Sequence, residues 1–386
     1  MTVKNFIRPF YYFYLFLNHN FQIFTKELIY KLLTLNVKTS YLLDEERIFK
    51  KVKLNLNNRG INWPFQPGYK PHIVYASIPS HWEMINIPHE LKKIGNLSTY
   101  FTNERGIDVS NRKIARKKID EDFLNWIDDL HKISKIDIVI TYFSGAEISS
   151  KTIEKIKIKK IPIFTFHLDD RLHFFGHLVG NIWSGPYSVC KAYDLNLTNS
   201  TNSLRQYFFH KSLALFWPEA ANPDYFKPQN SKKEIDVLFI GANYGKRKKL
   251  ISFLKENNIN VQAYGYNWPN GSVTSNEMIQ LISKSKITIG FGFVGFSNYQ
   301  CLKGRDFEFP SCGTVYLTSH NKELEYCYKI GTEIMTYKNN YDCLKKIKEI
   351  LNNDDLLSEI SKSSRESVLK NHTWEKRFKK IIYNNF

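Results

Sequence analysis

The chain is poor in cysteine. Its 386 residues hold five, at 190, 301, 312, 327 and 343, an odd number with no CxxC pair among them. That spacing excludes a disulfide framework and a structural zinc site, and a reducing, cytoplasmic setting is expected. A long apolar run is also missing. The aromatic stretch at 10–17 covers eight residues, well short of the roughly 20 needed to cross a bilayer. Lys4 and Arg8 precede it, but no small-residue cleavage site follows, so neither a transmembrane helix nor a signal peptide is expected. There is no extended low-complexity tract, no block of five or six consecutive basic residues, no zinc-finger spacing and no aromatic-basic RNA-binding signature.

What the chain does have is positive charge: 55 Lys and Arg against 37 Asp and Glu, a formal net charge of +18. The excess favours anionic partners such as a membrane surface or a phosphate-bearing substrate. Because it is spread along the sequence, nucleic acid is not expected. Apolar residues at 42% and aromatics at 15% suffice for buried cores. A length of 386 residues makes two domains the default.

From about residue 71 short β-rich runs alternate with helical patterns, the signature of βαβ units and a parallel sheet. Strands are expected at 71–78, 97–101, 136–143, 162–166, 194–198 and 213–217, with helices between them. The helix over 113–133 should present Ile114, Ile119, Phe123, Trp126, Ile127 and Leu130 on one face. A stretch carrying Pro218, Pro223 and Pro228 reads as a linker, and a second alternating series begins at 235. The class is therefore α/β, with domains expected at 71–217 and 235–365, a linker at 218–234, a closing helix at 366–386 and an aromatic-rich extension at 1–70. For the N-terminal aromatics two readings stay open. They lie on an anionic membrane surface with Lys4, Arg8, Lys26 and Lys31 flanking, or they form a helix packed on the first domain.

Several places could carry chemistry. At 303–318, Arg305 and Glu308 sit on a short helix with Gly313 just before an apolar strand. An ionised carboxylate only accepts hydrogen bonds, so it suits the two hydroxyls of a ribose. After the strand at 235, Gly241 opens a turn that runs into Lys246 and Arg247, where backbone amides and cations would meet an anion. Tyr264-Gly265 ends the next strand and is placed to border a base. In the first domain His167, Asp169 and Asp170 follow a strand end, where α/β folds gather ligand contacts and where a general base would stand. The Gly290-x-Gly292-x-x-Gly295 run is not read as a dinucleotide motif, because loop residues rather than a helix follow it.

Arg305-x-Phe307-Glu308 followed by Ser311-Cys312-Gly313 resembles the donor-binding signature of group 1 glycosyltransferases of GT-B architecture, and within them the spore-maturation-protein (CgeB-like) branch. The resemblance runs over most of 71–386 and is densest over 235–380. It implies two Rossmann-like domains facing across a cleft, with a C-terminal helix around Trp374 crossing back to the first. It also implies transfer of a sugar from a nucleotide-diphosphate donor to a glycan or lipid-linked acceptor in cell-surface polysaccharide or glycoconjugate synthesis, without a metal or other cofactor, by a peripheral membrane enzyme. Donor contacts would fall to Gly241, Lys246, Arg247, Tyr264, Gly265, Arg305, Glu308 and Gly313, and catalysis to His167, Asp169 and Asp170. One departure stands out: relatives carry a second Glu eight residues before the ribose-binding one, and here that place holds Gln300. A nucleotide-sugar epimerase and a non-catalytic polyanion-binding relative are the competing readings.

Overall fold

The computed structural model describes residues 3–384, with side chains from residue 10 onward. The chain forms two compact units: Gln22–Pro218 with Trp374–Phe386, and Met1–Phe21 with Glu219–Thr373. The side chains of Lys4 and Arg8, assigned above to a membrane contact, lie outside the described ones.

The first unit begins within a long helix, α1 (Val3–Leu33), followed by α2 (Thr39–Leu42) and α3 (Glu45–Asn57). The α/β series then runs β1 (His72–Ser77), α4 (His81–Lys92), β2 (Asn96–Phe101), α5 (Arg112–Ile133), β3 (Ile138–Tyr142), α6 (Ser150–Ile158), β4 (Ile163–His167) and α7 (Asp170–His173). A small hairpin of β5 (Leu178–Val179) and β6 (Ile182–Trp183), which the sequence pattern did not announce, precedes β7 (Leu195–Thr198), α8 (Leu204–Phe209) and β8 (Ala214–Phe216). The six-stranded sheet has order β2-β1-β3-β4-β7-β8 and is parallel throughout. Both faces are covered, so β1 and β4 are buried at every position and read as continuous apolar runs. On α5 the buried residues are Ala115, Ile119, Phe123 and Ile127, every fourth place, and they pack with Val139, Phe143 and Ile153.

Residues 22–70 are part of this unit rather than an extension to it. Ile48, Phe49, Val52 and Leu56 form the buried face of α3. Trp63 is fully buried, stacked on Phe49 at 5.7 Å and edge-on to Phe164 at 5.7 Å. The later part of α1 is fastened here too. Ile23 and Tyr30 are buried, the Tyr30 hydroxyl lies 2.7 Å from His210 Nε2, and Arg171 Nε donates to Glu27 at 2.7 Å. Lys26 does not face a membrane: its ammonium is buried and donates to the backbone carbonyls of Asp170, Arg171 and Leu172.

The second unit repeats the pattern with β9 (Ile235–Ile240), α9 (Arg247–Glu256), β10 (Val261–Tyr264), α10 (Ser275–Lys284), β11 (Ser285–Gly290), α11 (Arg305–Ser311), β12 (Val315–Ser319), β13 (Met335–Tyr337), α12 (Asn340–Leu351) and α13 (Asp354–Asn371). Its five-stranded parallel sheet has order β10-β9-β11-β12-β13. The closing helix is shorter than 366–386. Helix α13 stays in the second unit, and only α14 (Trp374–Tyr383) joins the first, where Trp374 lies 5.3 Å from Trp217 and 6.3 Å from Trp82.

Trp63 ties α3, the sheet and α14 together, since its Nε1 also donates to Ile381 O at 3.2 Å. Trp63→Ala should therefore cost about 3 to 5 kcal/mol in urea unfolding followed by tryptophan-independent circular dichroism. A loss under about 1 kcal/mol would contradict the packing described here.

Candidate active site

In both sheets the second strand in sequence lies on one side of the first and the third on the other, and ligands of α/β folds bind beyond the carboxyl ends of strands at this reversal. In the second unit the reversal falls between β9 and β11. Gly241, just past β9, has φ of 149°, and a Cβ built there would come 3.3 Å from Arg305 Nη1 and 3.6 Å from Arg247 Nη1. Glycine thus lets two guanidinium groups approach the same stretch of backbone. Arg247 opens α9 and is buried; its Nη1 donates to Ala242 O at 2.8 Å, and its guanidinium sits 4.0 Å from the Tyr244 ring centre. Burial, and then repulsion from Arg305, pull its pKa down to about 10. Arg305 opens α11, and its Nη1 is buried with no hydrogen-bond partner. An anion between these groups would relieve both costs.

Other expected residues surround this pair. Lys246 Nζ lies 4.7 Å from the Phe293 ring centre, and burial lowers its pKa. Glu308 is half-buried on α11, with its carboxylate 3.3 Å from where a Cβ on Gly304 would stand. The neighbouring acid, Asp306, is committed elsewhere: it accepts from Tyr316 Oη at 2.5 Å and from Lys303 N at 2.8 Å. Gly265 abuts the first turn, since a Cβ there would lie 2.4 Å from Gly241 O, and Tyr264 donates to Gln262 Oε1 at 2.9 Å. Gly313 is not brought to this group. It sits past the far end of α11, roughly 10 Å along the helix at 1.5 Å per residue, where a Cβ would meet Pro228 at 3.2 Å and where its φ of 67° ends the helix.

Beside the pair lies a cavity of about 760 Å³ whose wall includes Lys246, Phe291, Phe293, Gln300, His320 and Tyr337. Gln300 uses both ends of its amide there: Nε2 donates to His320 O at 2.8 Å, and Oε1 accepts from Ser319 Oγ at 2.6 Å. An ionised glutamate could not make the first bond, which gives the departure at this place a physical reason. The loop with the glycine run is anchored to α1 by Phe296 N donating to His19 Nδ1 at 3.2 Å and by Tyr12 stacking on Phe296 at 5.2 Å.

In the first unit the reversal between β1 and β3 opens a cavity of about 400 Å³ lined by Ile78, Arg112, Tyr142, Glu147, His167 and Asp170, among others. His167, the last residue of β4, is buried with Nε2 unpartnered, and burial pulls its pKa down to about 3, so the ring is neutral. Asp170 is a structural centre. Its carboxylate accepts from Thr198 Oγ1 at 2.9 Å, Ser203 Oγ at 2.7 Å and Tyr207 Oη at 2.8 Å, and burial raises its pKa to about 6. Asp169 has φ of 61° and is not among the residues that line the cavity. Sequence reading missed Glu147. Its Oε2 accepts from Ser144 N at 2.8 Å and Ser144 Oγ at 2.7 Å, and Arg112 Nη1 stands 3.8 Å from Oε1. The Ser144-x-x-Glu147 spacing just after a strand was the available signal.

Residues 246–383 match the family model described as glycosyl transferase-like. Among solved structures, a glycosyltransferase from Rickettsia africae shares 13% identity at a TM-score of 0.55, over 82% of this chain and 100% of that one. The Anabaena protein HepE in complex with UDP-glucose shares 11% identity at a TM-score of 0.53, over 81% of this chain and 99% of that one. No curated protein matches in sequence. Residues 246–383 thus resemble a glycosyl transferase-like family, and the chain as a whole shares the GT-B fold of these solved structures.

Proposed function

We propose that this chain moves a sugar from a nucleoside-diphosphate donor held in the second unit to a hydroxyl of a glycan or lipid-linked acceptor. The work would serve cell-surface polysaccharide or glycoconjugate synthesis on the cytoplasmic face of a membrane to which the protein attaches peripherally. The observation that carries this reading is the pair Arg247 and Arg305, two cations beside the Gly241 turn, with Arg305 Nη1 buried and unpartnered. A diphosphate supplies the missing negative charge and acceptor atoms. That its neighbour HepE was solved with UDP-glucose supports the same class of donor. The epimerase and binding-protein readings find no such support.

In this reading the acceptor oxygen attacks the anomeric carbon, the bond to the donor phosphate breaks, and its electron pair leaves on the diphosphate. Arg247, Arg305 and Lys246 stabilise that leaving charge in the place where it develops, with the Gly241 turn admitting the phosphates close to the backbone. Glu308 accepts hydrogen bonds from the ribose hydroxyls, and the walls of Phe291 and Phe293 border the nucleotide cavity. On the acceptor side Asp170 is a framework residue that shapes the end of β4. Neutral His167 offers its unpartnered Nε2 as a hydrogen-bond acceptor that orients an acceptor hydroxyl, with Glu147 and Arg112 binding further acceptor hydroxyls. The CgeB-like branch remains the finer family assignment we propose.

Glu308→Gln keeps the side-chain volume and removes the charged acceptor, so affinity for a nucleoside diphosphate should fall by about 1.5 to 3 kcal/mol in calorimetric titration. Arg247→Ala and Arg305→Ala should each weaken it by about tenfold or more. Arg377→Ala, whose Nε donates to Pro218 O at 3.2 Å on α14, should leave it unchanged. Equal small effects at all positions would remove the diphosphate assignment.

A second expectation concerns acid stability. Folding holds the His167 pKa at about 3, below the ordinary histidine value of about 6.5. The stability gained by keeping the ring unprotonated is full above about pH 6.5 and is lost as pH falls toward about 3. Asp170 runs the other way, its raised pKa costing stability as pH rises through about 6. The drop in melting temperature between about pH 7.5 and about pH 5 should therefore be smaller in His167→Gln than in the unsubstituted protein. An equal drop would mean that the imidazole is not buried as described.

A further inference from the structure

In the first unit a second cavity adjoins the one that His167 borders, and the two share Arg112. It measures about 290 Å³, and its wall includes Arg112, Lys113, Arg116, Val179 and Ile182. The three cations come from the opening turns of α5 and, at about 3.6 residues per turn, fall on one side of the helix. Val179 and Ile182 come from the β5–β6 hairpin, whose base residues Gly176, His177, Ser184 and Gly185 line the first cavity. One short hairpin therefore borders both spaces.

Close packing fixes the hairpin. Ala146 N donates to Ser184 O at 2.9 Å, Ser144 Oγ donates to the same carbonyl at 2.8 Å, and a Cβ on Gly145 would come 2.6 Å from Trp183 O. Arg116 Nη1 donates to Gly145 O at 3.2 Å, which ties the helix to this loop. The turn at Gly180 rests on the stem of Lys113, since a Cβ there would stand 3.7 Å from its Cδ and Cε. Beyond that stem the Lys113 ammonium has no hydrogen-bond or ion-pair partner among the described residues. Arg112 faces Glu147 at 3.8 Å, but among the described residues that line the second cavity none is acidic. The first turn of α5 holds no acid either, and cations placed there oppose the helix dipole. What this recess lacks is negative charge.

We propose that the second cavity takes an acidic sugar unit of the acceptor, one bearing a carboxylate or a phosphate, next to the unit whose hydroxyl receives the transferred sugar. The inference rests on the acceptor reading of the first cavity given above and adds the class of acceptor, an acidic glycan. Guanidinium groups match either oxyanion with paired hydrogen bonds, and Arg116 has further N–H donors beyond the one given to Gly145 O. Lys113 adds a point charge. Val179 and Ile182 offer apolar surface to the face of a sugar ring, and a volume at the small end of ligand pockets suits one unit better than a chain. The net charge of +18 attracts any polyanion, whereas three cations in one recess select an acidic unit that lies in register with the first cavity.

The test is binding of the full-length protein to an array of neutral, uronic acid-containing and phosphate-bearing glycans, with nucleoside-diphosphate titration run on the same samples. The unsubstituted protein should bind one acidic class about tenfold or more tightly than the neutral glycans, and the class that responds tells carboxylate from phosphate. Lys113→Gln with Arg116→Gln should lose that advantage while keeping its circular dichroism and its nucleotide affinity. Lys117→Gln with Lys118→Gln removes the same charge from exposed places on α5 that do not line the cavity, and should keep the advantage. No binding, no acidic advantage, or an equal loss in both double variants overturns the proposal; in the last case bulk charge accounts for the binding. Arg112→Gln, at the border of both cavities, should weaken acidic and neutral glycans alike. If it spares the neutral ones, the acceptor reading of the first cavity falls while the acidic subsite stands. If acidic glycans show no advantage but Arg112→Gln still weakens glycan binding, the inference alone falls.

Discussion

Two positively charged guanidinium groups beside one glycine turn are costly to bring together, and the second unit positions both of them there. Arg247 is fixed by α9, by Ala242 O and by the Tyr244 ring, while Arg305 is fixed by α11. α11 in turn is locked by Asp306, which accepts from Tyr316 on β12 and whose carbonyl accepts from Tyr328 Oη at 2.8 Å. Burial first and the charge of Arg305 second lower the pKa of Arg247. In the function proposed here the arrangement serves an anion, because electrostatic preorganisation costs stability before the ligand arrives and is returned when charge develops.

The same division between framework and function runs through the first unit. Asp170 looks catalytic in sequence, next to a histidine at a strand end, yet three hydroxyls close around it and make it the centre of the β4–β7–α8 corner. His167, two places before Asp169, has the opposite character: buried, neutral, with Nε2 unpartnered, and one of the residues around the cavity. Burial raises the pKa of the acid and lowers that of the base, so one environment acts on both with opposite sign.

Most of the α/β architecture was legible because parallel strands are short apolar runs and their crossover helices repeat at 3.6 residues. Strands β1 to β4, β7 and β8 fall within a few residues of where the pattern puts them, and the second series begins with β9 at residue 235 as expected. Gly241, Arg247 and Arg305 were also readable, since glycine after a strand and arginine at a helix start are local signals. What escaped was set by tertiary contacts. Gly313 carries a φ that only the helix end requires, Glu147 depends on Ser144 for its orientation, and Lys26 finds its carbonyls 144 residues away in sequence. The two faces of α1 illustrate the limit. Periodicity shows both, but which one the protein buries depends on Phe174, Arg171 and His210, and these come together only in the folded chain.

The central claim is that Arg247 and Arg305 hold a diphosphate. It is tested most directly by calorimetric titration of the full-length protein with UDP, GDP and ADP, each set against the corresponding monophosphate. The account predicts that one diphosphate binds at least about tenfold more tightly than its monophosphate and that this margin collapses in Arg305→Ala. Equal affinity for mono- and diphosphates, or a margin unchanged by the substitution, would contradict it.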